Sequence, residues 1–437
     1  MRIVVVGGVA AGLSAASRAR RLDPAAEILV FEKGKRISYG ACGLPYLLEG
    51  QVSSIDELVV YRPEFFEKER NIRIRTESEV IAVHHARREA VLRSGERVRY
   101  DRLVWAAGAR PSRASSAPRV FQLHTDADAL RLLEFLEREK PRTATVVGGG
   151  YIGLEAATAL RARGLRVRLF HDATTLLNRE DPWLTKLVAG RLEQCGVEVR
   201  LNERADPETA DAGLVIDATG LRPNVEVLAE AGAALGRTGA LAVSERMETS
   251  LHGVFAAGDC CEARHVVTGR DVWIPLGTTA NKMGRVAGAN AAGRRERFAG
   301  IAGTSIVRVA GLAVAATGLS QQQARREGFS PVEAVVEGRR RRNDTRNRRK
   351  PRRNNPRNSG IFHGSGWDCT GVSAPGRARS RSPAPAAAGR PAARRRTSRS
   401  TAGRSGRARC GRAGRSGPVR RRGGSWAGRC EYGCPSG

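Results

Sequence analysis

The chain has 437 residues, which is too long for a single hydrophobic core and predicts two or three domains. Its formal net charge of +31 would ordinarily indicate a nucleic-acid-binding protein. The charge is uneven, however, because residues 339–437 contain 28 Lys and Arg against 3 acidic residues, which leaves residues 1–338 with a net charge of only +6. The average charge therefore does not describe residues 1–338, which have the composition of an ordinary globular protein.

The first elements of the chain are predicted to form a βαβ unit. Residues 2–7 are rich in β-branched side chains and end at glycine, as a buried parallel strand does. Residues 10–22 are rich in alanine and predict a helix, and residues 27–31 predict the next strand. A helix over 56–70 and short strands within 72–104 are expected to follow.

A second unit of the same kind is predicted after residues 111–118, whose Pro, Ser and Ala are typical of a crossing between domains. Residues 144–147 predict a strand, 151–163 a helix and 166–170 the next strand. Its further elements are predicted as a helix at 183–194 and strands at 197–201 and 213–217. The chain is then expected to return to the first unit through residues 254–259.

The C-terminal part changes character. Residues 276–292 predict a helix of small residues, and residues 304–336 begin a further segment with a strand and a helix near 320–327. From Arg339 onward no amphipathic period remains, and Arg, Gly, Ser, Pro and Ala dominate. Such a composition cannot bury enough apolar surface to offset the entropy of ordering, so residues 339–437 are predicted to form a disordered Arg-rich tail.

The first glycine-rich turn lies between the first strand and the first helix. Val9 stands where the usual G-x-G-x-x-G pattern has its middle glycine, but Gly7 can still form the tight turn and Gly12 can still allow close helix packing. The helix N-terminus offers N–H groups and a positive dipole end to a pyrophosphate, and Glu32 at the next strand end can accept from ribose hydroxyls. The alternative is a glycine turn in an unrelated α/β protein.

The second glycine-rich turn, Gly148-x-Gly150-x-x-Gly153, matches the pattern in full and again joins a strand to a helix. His171 occupies the usual acidic position at the next strand end, and Asp172 follows it. Asp172 could bind a ribose, whereas His171 could tolerate a 2′-phosphate, so both NADH and NADPH remain open. Two such turns in one chain are much stronger evidence for dinucleotide binding than one.

Cys42 lies a short distance after the first glycine turn and is predicted to open a helix over residues 42–48. A helix N-terminus favours the thiolate, so we expect a lowered pKa and a redox-active sulfur. The alternative is a buried cysteine that acts as a small apolar residue.

No charged segment followed by a long apolar run opens the chain, and no stretch reaches the roughly 18 apolar residues of a membrane span. The eight cysteines show no disulfide-framework spacing. We therefore expect a cytoplasmic protein without membrane contact, with reduced thiols.

Taken together, the two glycine turns and Cys42 resemble the FAD-dependent pyridine nucleotide–disulfide oxidoreductases. Within that family the chain is similar to the coenzyme A-disulfide reductase and NADH oxidase group, whose members have one active cysteine rather than a Cys-x4-Cys pair. Ile37 indeed stands five residues before Cys42. The resemblance extends from Met1 to about Gly338 and implies an α/β fold with two interleaved Rossmann-like dinucleotide-binding domains, followed by a dimerisation domain that is truncated here.

The domain boundaries that follow are 1–112 for the first part of the FAD-binding domain, 113–236 for the NAD(P)-binding domain, 237–303 for the second part of the FAD-binding domain, 304–338 for the start of the dimerisation domain and 339–437 for the basic tail. The resemblance implies FAD and either NADH or NADPH as cofactors. Electrons would pass from NAD(P)H through the flavin and Cys42 to a small-molecule disulfide such as coenzyme A disulfide. The alternatives are an NAD(P)H oxidase, a polysulfide or persulfide reductase, and an inactive flavoprotein with a nucleic-acid-binding tail.

The resemblance also assigns residues to sites, and no metal is expected among them. It implies FAD contacts at Gly7, Gly8, Ala10, Ala11, Gly12, Glu32, Lys33, Val80, Ala107, Gly108 and Asp259. It implies nicotinamide dinucleotide contacts at Gly148, Gly150, Tyr151, Ile152, Gly153, Glu155, His171, Asp172 and Gly220. For a coenzyme A substrate it implies contacts at Ser14, Arg18, Arg21, Ser38 and Arg70. The chain departs from some relatives at Ala41, where they have Asn, and at Asn281, where they have His.

The family continues into a domain that forms a homodimer and carries tyrosines into the partner's active site. No such sequence follows Gly338, and the tail contains a single lysine, Lys350. A composition dominated by Arg, Gly, Ala, Pro and Ser is typical of a GC-rich gene that is translated in the wrong reading frame. We interpret residues 339–437 as a frameshifted dimer domain, with a genuine nucleic-acid-binding arm as the rival. Translating the other two frames of the gene distinguishes the two.

Overall fold

The computed structural model describes residues 1–177 and 180–336, so the expectations for the tail over 339–437 concern residues outside this description. Its strands are β1 (Arg2–Val6), β2 (Glu27–Phe31), β3 (Arg73–Arg75), β4 (Val80–His84), β5 (Glu89–Leu92), β6 (Arg97–Arg99), β7 (Arg102–Trp105), β8 (Ala109–Pro111), β9 (Val120–Phe121), β10 (Thr143–Val147), β11 (Arg166–His171), β12 (Val197–Leu201), β13 (Leu214–Asp217), β14 (Leu221–Pro223), β15 (Val254–Ala256), β16 (Ala263–Arg264), β17 (Asp271–Val272), β18 (Ser305–Val309) and β19 (Leu312–Ala316). Its α-helices are α1 (Ala10–Leu22), α2 (Leu44–Glu49), α3 (Pro63–Arg70), α4 (Asp126–Glu139), α5 (Tyr151–Ala162), α6 (Pro182–Gln194), α7 (Glu226–Glu230), α8 (Gly277–Ala291) and α9 (Gln321–Arg326).

Two five-stranded parallel sheets form the centre of the fold. The first has the order β15-β7-β1-β2-β3 and the second has the order β12-β11-β10-β13-β9. Strands β1, β2, β10 and β13 are short, mostly apolar and almost fully buried, as expected when helices cover both faces of a parallel sheet. The mixed α/β fold with Rossmann-like units is thereby confirmed.

The two units are interleaved along the chain. Every strand of the second sheet comes from residues between β7 and β15, and these two strands are neighbours in the first sheet. The chain passes from the first unit to the second through β8 and returns through β14, and these two strands pair in antiparallel orientation. The interleaving follows the prediction, whereas the domain boundaries themselves remain predictions.

Helix α8 packs against α1 through small residues. A Cβ at Gly284 would lie 2.2 Å from the Ala11 carbonyl oxygen, and a Cβ at Gly288 would lie 2.1 Å from that of Ala15. The backbones therefore approach more closely than any larger residue at these glycines would permit. This contact brings the returning part of the chain against the first glycine turn.

Three local predictions were wrong. The helix expected over 56–70 is broken, because the residue before Pro63 is forced into an extended conformation and α3 begins only at that proline. A short 3₁₀ segment, Ile55–Leu58, precedes the break. Helix α2 begins at Leu44 rather than at Cys42. The last described segment contains a hairpin of two strands, β18 and β19, where one strand was expected.

No helix within residues 1–177 and 180–336 combines the length and apolar character that crossing a bilayer requires.

Candidate active site

The two glycine turns adopt the same geometry. Gly7 and Gly148 both have φ near +110°, and a Cβ on either would lie 2.2 Å from a backbone oxygen of a neighbouring strand end. A Cβ on Gly12 would lie 1.8 Å from the Gly7 oxygen, and a Cβ on Gly153 would lie 1.9 Å from the Gly148 oxygen. Each turn therefore needs glycine at its first and last position for steric reasons alone.

Helices α1 and α5 begin directly after these turns, and no side chain caps either N-terminus. The amide groups of their first turns are therefore available to an anion, which is favoured there by the helix dipole. A Cβ at Gly150 or Gly108 would meet no atom within 4 Å, so open space borders both. The arrangement fits one dinucleotide at each turn.

Glu32 occupies the end of β2 beside the first turn and is 9% exposed. One carboxylate oxygen accepts from the Gly8 amide at 2.6 Å and the other accepts from the Gly34 amide at 2.7 Å. The side chain is thus oriented by the backbone, and its remaining lone pairs can accept from ribose hydroxyls. Gly8 lies in the same turn, and Ala10 and Ala11 are the first two residues of α1.

His171 takes the corresponding place beside the second turn. Its Nδ1 accepts from the Gly149 amide at 3.2 Å, as Glu32 accepts from Gly8. His171 is 8% exposed, whereas the neighbouring Asp172 side chain is 71% exposed. The buried position that carries a carboxylate in the first unit is therefore filled by an imidazole in the second.

The other residues assigned to the cofactors are distributed around the two turns. Ala107 and Gly108 follow β7, and the Ala107 oxygen accepts from the Asn224 side chain at 2.7 Å. Gly220 has φ of +143° after β13. Val80 is buried at the start of β4 and Lys33 is exposed beyond β2. Tyr151 and Ile152 form the first turn of α5.

Cys42 lies in a single 3₁₀ turn, Ala41–Gly43, immediately before α2, and is exposed. The protein around the Cys42 sulfur removes part of its hydration, and this raises the pKa of the thiol. The carboxylates of Glu155 and Asp259 raise the pKa further. The expectation of a lowered pKa was therefore wrong. The helix that follows has only six residues and does not include Cys42, so its dipole does not outweigh desolvation and two acidic neighbours.

Glu155 and Asp259 reach the Cys42 region from different parts of the fold. Glu155 lies on α5, after the second glycine turn, and burial raises its pKa to about 7. Asp259 follows β15, and burial raises its pKa to about 6, against the lowering effect of the Leu276 amide at the start of α8. One thiol and two poorly hydrated carboxylates are thus brought into electrostatic contact.

The residues assigned to coenzyme A lie mainly along one face of α1. Ser14, Arg18 and Arg21 recur at helical spacing, and the Ser14 hydroxyl donates to the Asn281 side chain at 2.7 Å. Arg18 forms an ion pair with Glu296. Arg21 is exposed.

The Arg70 guanidinium donates to the Ser17 hydroxyl on α1 at 2.6 Å and lies 5.0 Å from the Phe65 ring centroid. The ring of Tyr61 stacks on that of Phe65, with the two ring centroids 4.3 Å apart. The sequence analysis did not predict this cluster of Arg70 with aromatic rings. Ser38 has φ of +53° and its amide donates to the Gly8 oxygen, which links the Cys42 segment to the first turn.

Asp259→Asn tests the electrostatics of the site. A folded-state pKa of about 6 lies above the usual value of 3.8, so the native state retains a proton that the unfolded chain has lost, and stability falls as the pH rises from about 4 to 6. The asparagine removes this penalty. We expect the flavin-stripped variant to gain about 2 kcal/mol at pH 7.5 and much less at pH 4.

Thermal unfolding at the two pH values measures the difference. Asp211→Asn, at an exposed position, is the matched control and is expected to change stability little at either pH. Equal or lower stability of Asp259→Asn at pH 7.5 would contradict the proposed desolvation.

Comparison with known proteins agrees with this geometry. A family model described as pyridine nucleotide-disulphide oxidoreductase matches residues 1–284. The NAD(P)H coenzyme A polysulfide/persulfide reductase of Pyrococcus horikoshii is 38% identical over 354 residues, covering 77% of this chain and 79% of the relative. The NADH oxidase of Methanocaldococcus jannaschii is 35% identical over 343 residues, covering 73% of this chain and 76% of the relative.

Among solved structures, the NAD-dependent persulfide reductase from A. fulgidus has a TM-score of 0.73 and 34% identity, covering 77% of this chain and 68% of that one. The family match and relatives of this identity and coverage show that the chain belongs to the pyridine nucleotide-disulphide oxidoreductases, FAD-dependent enzymes that take electrons from NADH or NADPH.

Proposed function

We propose that this chain reduces sulfur–sulfur bonds of coenzyme A-linked substrates with electrons from NAD(P)H, and that Cys42 is its redox residue. The observation that carries the proposal is the place of Cys42. The Ser38 amide donates to the Gly8 oxygen of the first turn at 2.9 Å, and α2, which follows Cys42, packs on α5. The carboxylates of Glu155 and Asp259 both raise the pKa of the thiol. Glu155 belongs to the unit with the second glycine turn, and Asp259 to the unit with the first. The thiol thus lies where the two proposed dinucleotide sites meet.

The residues of the chain would hold the cofactors as follows. The first turn, with Glu32 and Asp259, would bind the FAD, and the second turn, with Glu155 and His171, would bind the nicotinamide dinucleotide. The flavin, when bound, supplies the two-electron chemistry that links nicotinamide to thiol. The absence of a carboxylate at His171 removes the usual repulsion of a 2′-phosphate, so NADPH is expected to be accepted alongside NADH.

The chemistry at Cys42 is thiol–disulfide exchange. The Cys42 thiolate attacks one sulfur of the substrate, the S–S bond breaks, and the other half leaves as a thiolate that takes up a proton. Two electrons from NAD(P)H then cleave the mixed disulfide, restore the Cys42 thiolate and release the second thiol. In sum, one disulfide, one NAD(P)H and one proton give two thiols and NAD(P)+.

Coenzyme A recognition is supported by the cationic face of α1 and by the neighbouring cluster of Arg70 with its aromatic rings. Guanidinium groups suit the phosphates of such a substrate, and the stacked Tyr61 and Phe65 rings offer an apolar surface beside them. Arg18 would first have to exchange its pairing with Glu296 for a phosphate.

The direct test begins with purification and an absorption spectrum, followed by anaerobic titration with NADH and NADPH. We expect the purified protein to contain bound flavin, and we expect either nucleotide to bleach the absorbance of that flavin. Reoxidation with coenzyme A disulfide, coenzyme A persulfide, inorganic polysulfide and oxygen, each in turn, then identifies the acceptor. Flavin that reoxidises only with oxygen would refute sulfur reduction and favour an NADH oxidase, the activity named for the Methanocaldococcus relative.

We also propose a homodimer, in which hairpin β18–β19 begins the dimerisation region. Ile306 on this hairpin is 76% exposed, so this large apolar side chain is left uncovered by the described part of the chain. Light scattering of the purified protein measures the oligomeric state.

The four cysteines of the described residues are all free thiols, which fits a reducing compartment such as the cytoplasm.

A further inference from the structure

Helix α8 packs beside α1 and runs in the same direction. A Cβ at Gly284 would lie 2.2 Å from the Ala11 oxygen, and a Cβ at Gly288 would lie 2.1 Å from the Ala15 oxygen. A step of four residues on α8 therefore matches a step of four residues on α1, as it does when two parallel helices are in close contact. Because four residues make about one turn, a pair of neighbouring positions recurs one turn further along both helices.

Polar side chains line one flank of the contact between the two helices. The Ser14 hydroxyl donates to the Asn281 side chain at 2.7 Å, so these two positions are neighbours. One turn further along each helix are Arg18 and Arg285, which share a face with Ser14 and Asn281, respectively. Arg285 is exposed, and so is Arg21 on the next turn of α1. We call the flank formed by these five residues the α1–α8 groove.

The α1–α8 groove carries more positive than negative charge. Arg18 forms an ion pair with Glu296, whose amide donates to the Asn290 side chain of α8 at 2.7 Å. Arg21 and Arg285 form no ion pair within the described part of the chain. Two guanidinium groups without a counter-charge therefore lie near a third, and an anion that binds between them relieves their mutual repulsion.

The phosphate groups of a coenzyme A-linked substrate match this arrangement. Coenzyme A carries a diphosphate and a 3′-phosphate at its adenosine end, and a planar guanidinium group can donate two parallel hydrogen bonds to one phosphate. The sulfur end of the same molecule must reach Cys42. Helix α1 begins directly after the first glycine turn, and the Ser38 amide of the Cys42 segment donates to the Gly8 oxygen in that turn at 2.9 Å. The groove therefore starts close to the Cys42 segment.

We propose that Arg285 is a specificity-determining residue that binds phosphate groups of the substrate together with Arg18 and Arg21. The inference rests on the proposed function and adds a second helix, α8, to its substrate site. Glu296 occupies Arg18 while the groove is empty, and the incoming phosphates displace it. Acceptors without the nucleotide end, such as pantethine or inorganic polysulfide, do not use the groove. Arg285 thus separates coenzyme A-linked acceptors from these smaller ones.

The experiment compares the equilibrium binding of coenzyme A with that of pantetheine, which has the same thiol end but no phosphate. Isothermal titration calorimetry on the full-length protein as purified, in about 0.1 M salt, measures both affinities. We expect Arg285→Gln to weaken coenzyme A binding about tenfold, and Arg285→Lys to weaken it less, because lysine keeps the charge but not the paired donors. Glu296→Gln should tighten coenzyme A binding about threefold, since Arg18 then lacks a competing carboxylate. Pantetheine binding should be the same in all three variants.

Arg97→Gln is the matched control, because Arg97 is an exposed arginine of β6 that likewise has no ion pair among the described residues. This variant should bind coenzyme A and pantetheine as the parent does. Residues 339–437 are the same in every variant, so any phosphate binding by their 28 basic side chains cancels in the comparison.

Parental affinity of Arg285→Gln for coenzyme A would overturn the inference. So would an equal loss of affinity for pantetheine, or a parent protein that binds coenzyme A no more tightly than pantetheine. Binding does not require turnover. A parent protein whose coenzyme A binding depends on Arg285, but which reduces no disulfide, would therefore contradict the proposed function and leave the role of Arg285 standing.

Discussion

Replacing Cys42 by serine is expected to abolish reduction of disulfide and polysulfide substrates, with a loss of at least about 10³-fold in kcat/KM. A serine hydroxyl is not ionised near neutral pH and cannot form a mixed disulfide, so the exchange step has no nucleophile. Bleaching of the flavin by NADH under anaerobic conditions should persist, because that step does not use the thiol. The measurement is stopped-flow absorbance for flavin bleaching and thiol release for acceptor reduction.

Cys195→Ser is the matched control. Cys195 is half-buried at the end of α6, is a free thiol and packs at the edge of the core. We expect its substitution to leave both measurements unchanged. If Cys42→Ser retained acceptor reduction, Cys42 would not be the redox residue; if the variant instead lost flavin bleaching, the thiol would have a role in nicotinamide binding that the proposal does not include.

The glycine turns were predictable because their determinants are local. The turn, the following helix and the carboxylate at the next strand end all lie within a few dozen residues, and Gly7, Gly12 and Glu32 meet as that spacing requires. The same holds for Gly148 and Gly153. Steric limits on the backbone decide these positions, and a sequence pattern records such limits directly.

The ionisation of Cys42 could not be predicted in this way. Its pKa depends on Glu155 and Asp259, which come from α5 and from the return of the chain after β15. Their approach depends on how the two interleaved units are arranged, which the sequence of the Cys42 segment does not contain. Reasoning from the nearest helix alone therefore predicted a lowered pKa for Cys42, whereas its pKa is raised.

The contact of Arg308 with α2, the helix that follows Cys42, could not be predicted for a related reason. The sequence places Arg308 in the first strand after the FAD and NAD(P) regions, where it resembles an ordinary strand arginine. Only the packing of hairpin β18–β19 on α5 brings it to Tyr46 and Glu49. By contrast, the helix capping box of Thr125 with Asp128 at α4 is a local signal that could have been used.

Gly12→Ala is expected to prevent stable folding of the flavin-binding unit. Its Cβ would lie 1.8 Å from the Gly7 oxygen and 3.2 Å from a Val5 methyl group, and the first of these is backbone that no side-chain rotation can move away. Either the turn opens or α1 moves away from β1, and α8 would have to move with it because Gly284 and Gly288 are in close contact with α1. We expect a loss of about 3 kcal/mol or more.

Gly190→Ala provides the matched control, since the same methyl group is added in the middle of α6 where no atom lies within 4 Å. Alanine is the better helix former by about 1 kcal/mol, so this variant should be slightly more stable than the parent. Urea unfolding and the ratio of flavin to protein absorbance measure both effects.

Gly12→Ala with parental stability and full flavin content would show that the first turn can adopt another geometry. The steric argument for placing the FAD pyrophosphate at this turn would then fail. Loss of flavin with parental stability would instead show that the extra methyl group is absorbed by movement of the turn into the space that the pyrophosphate needs.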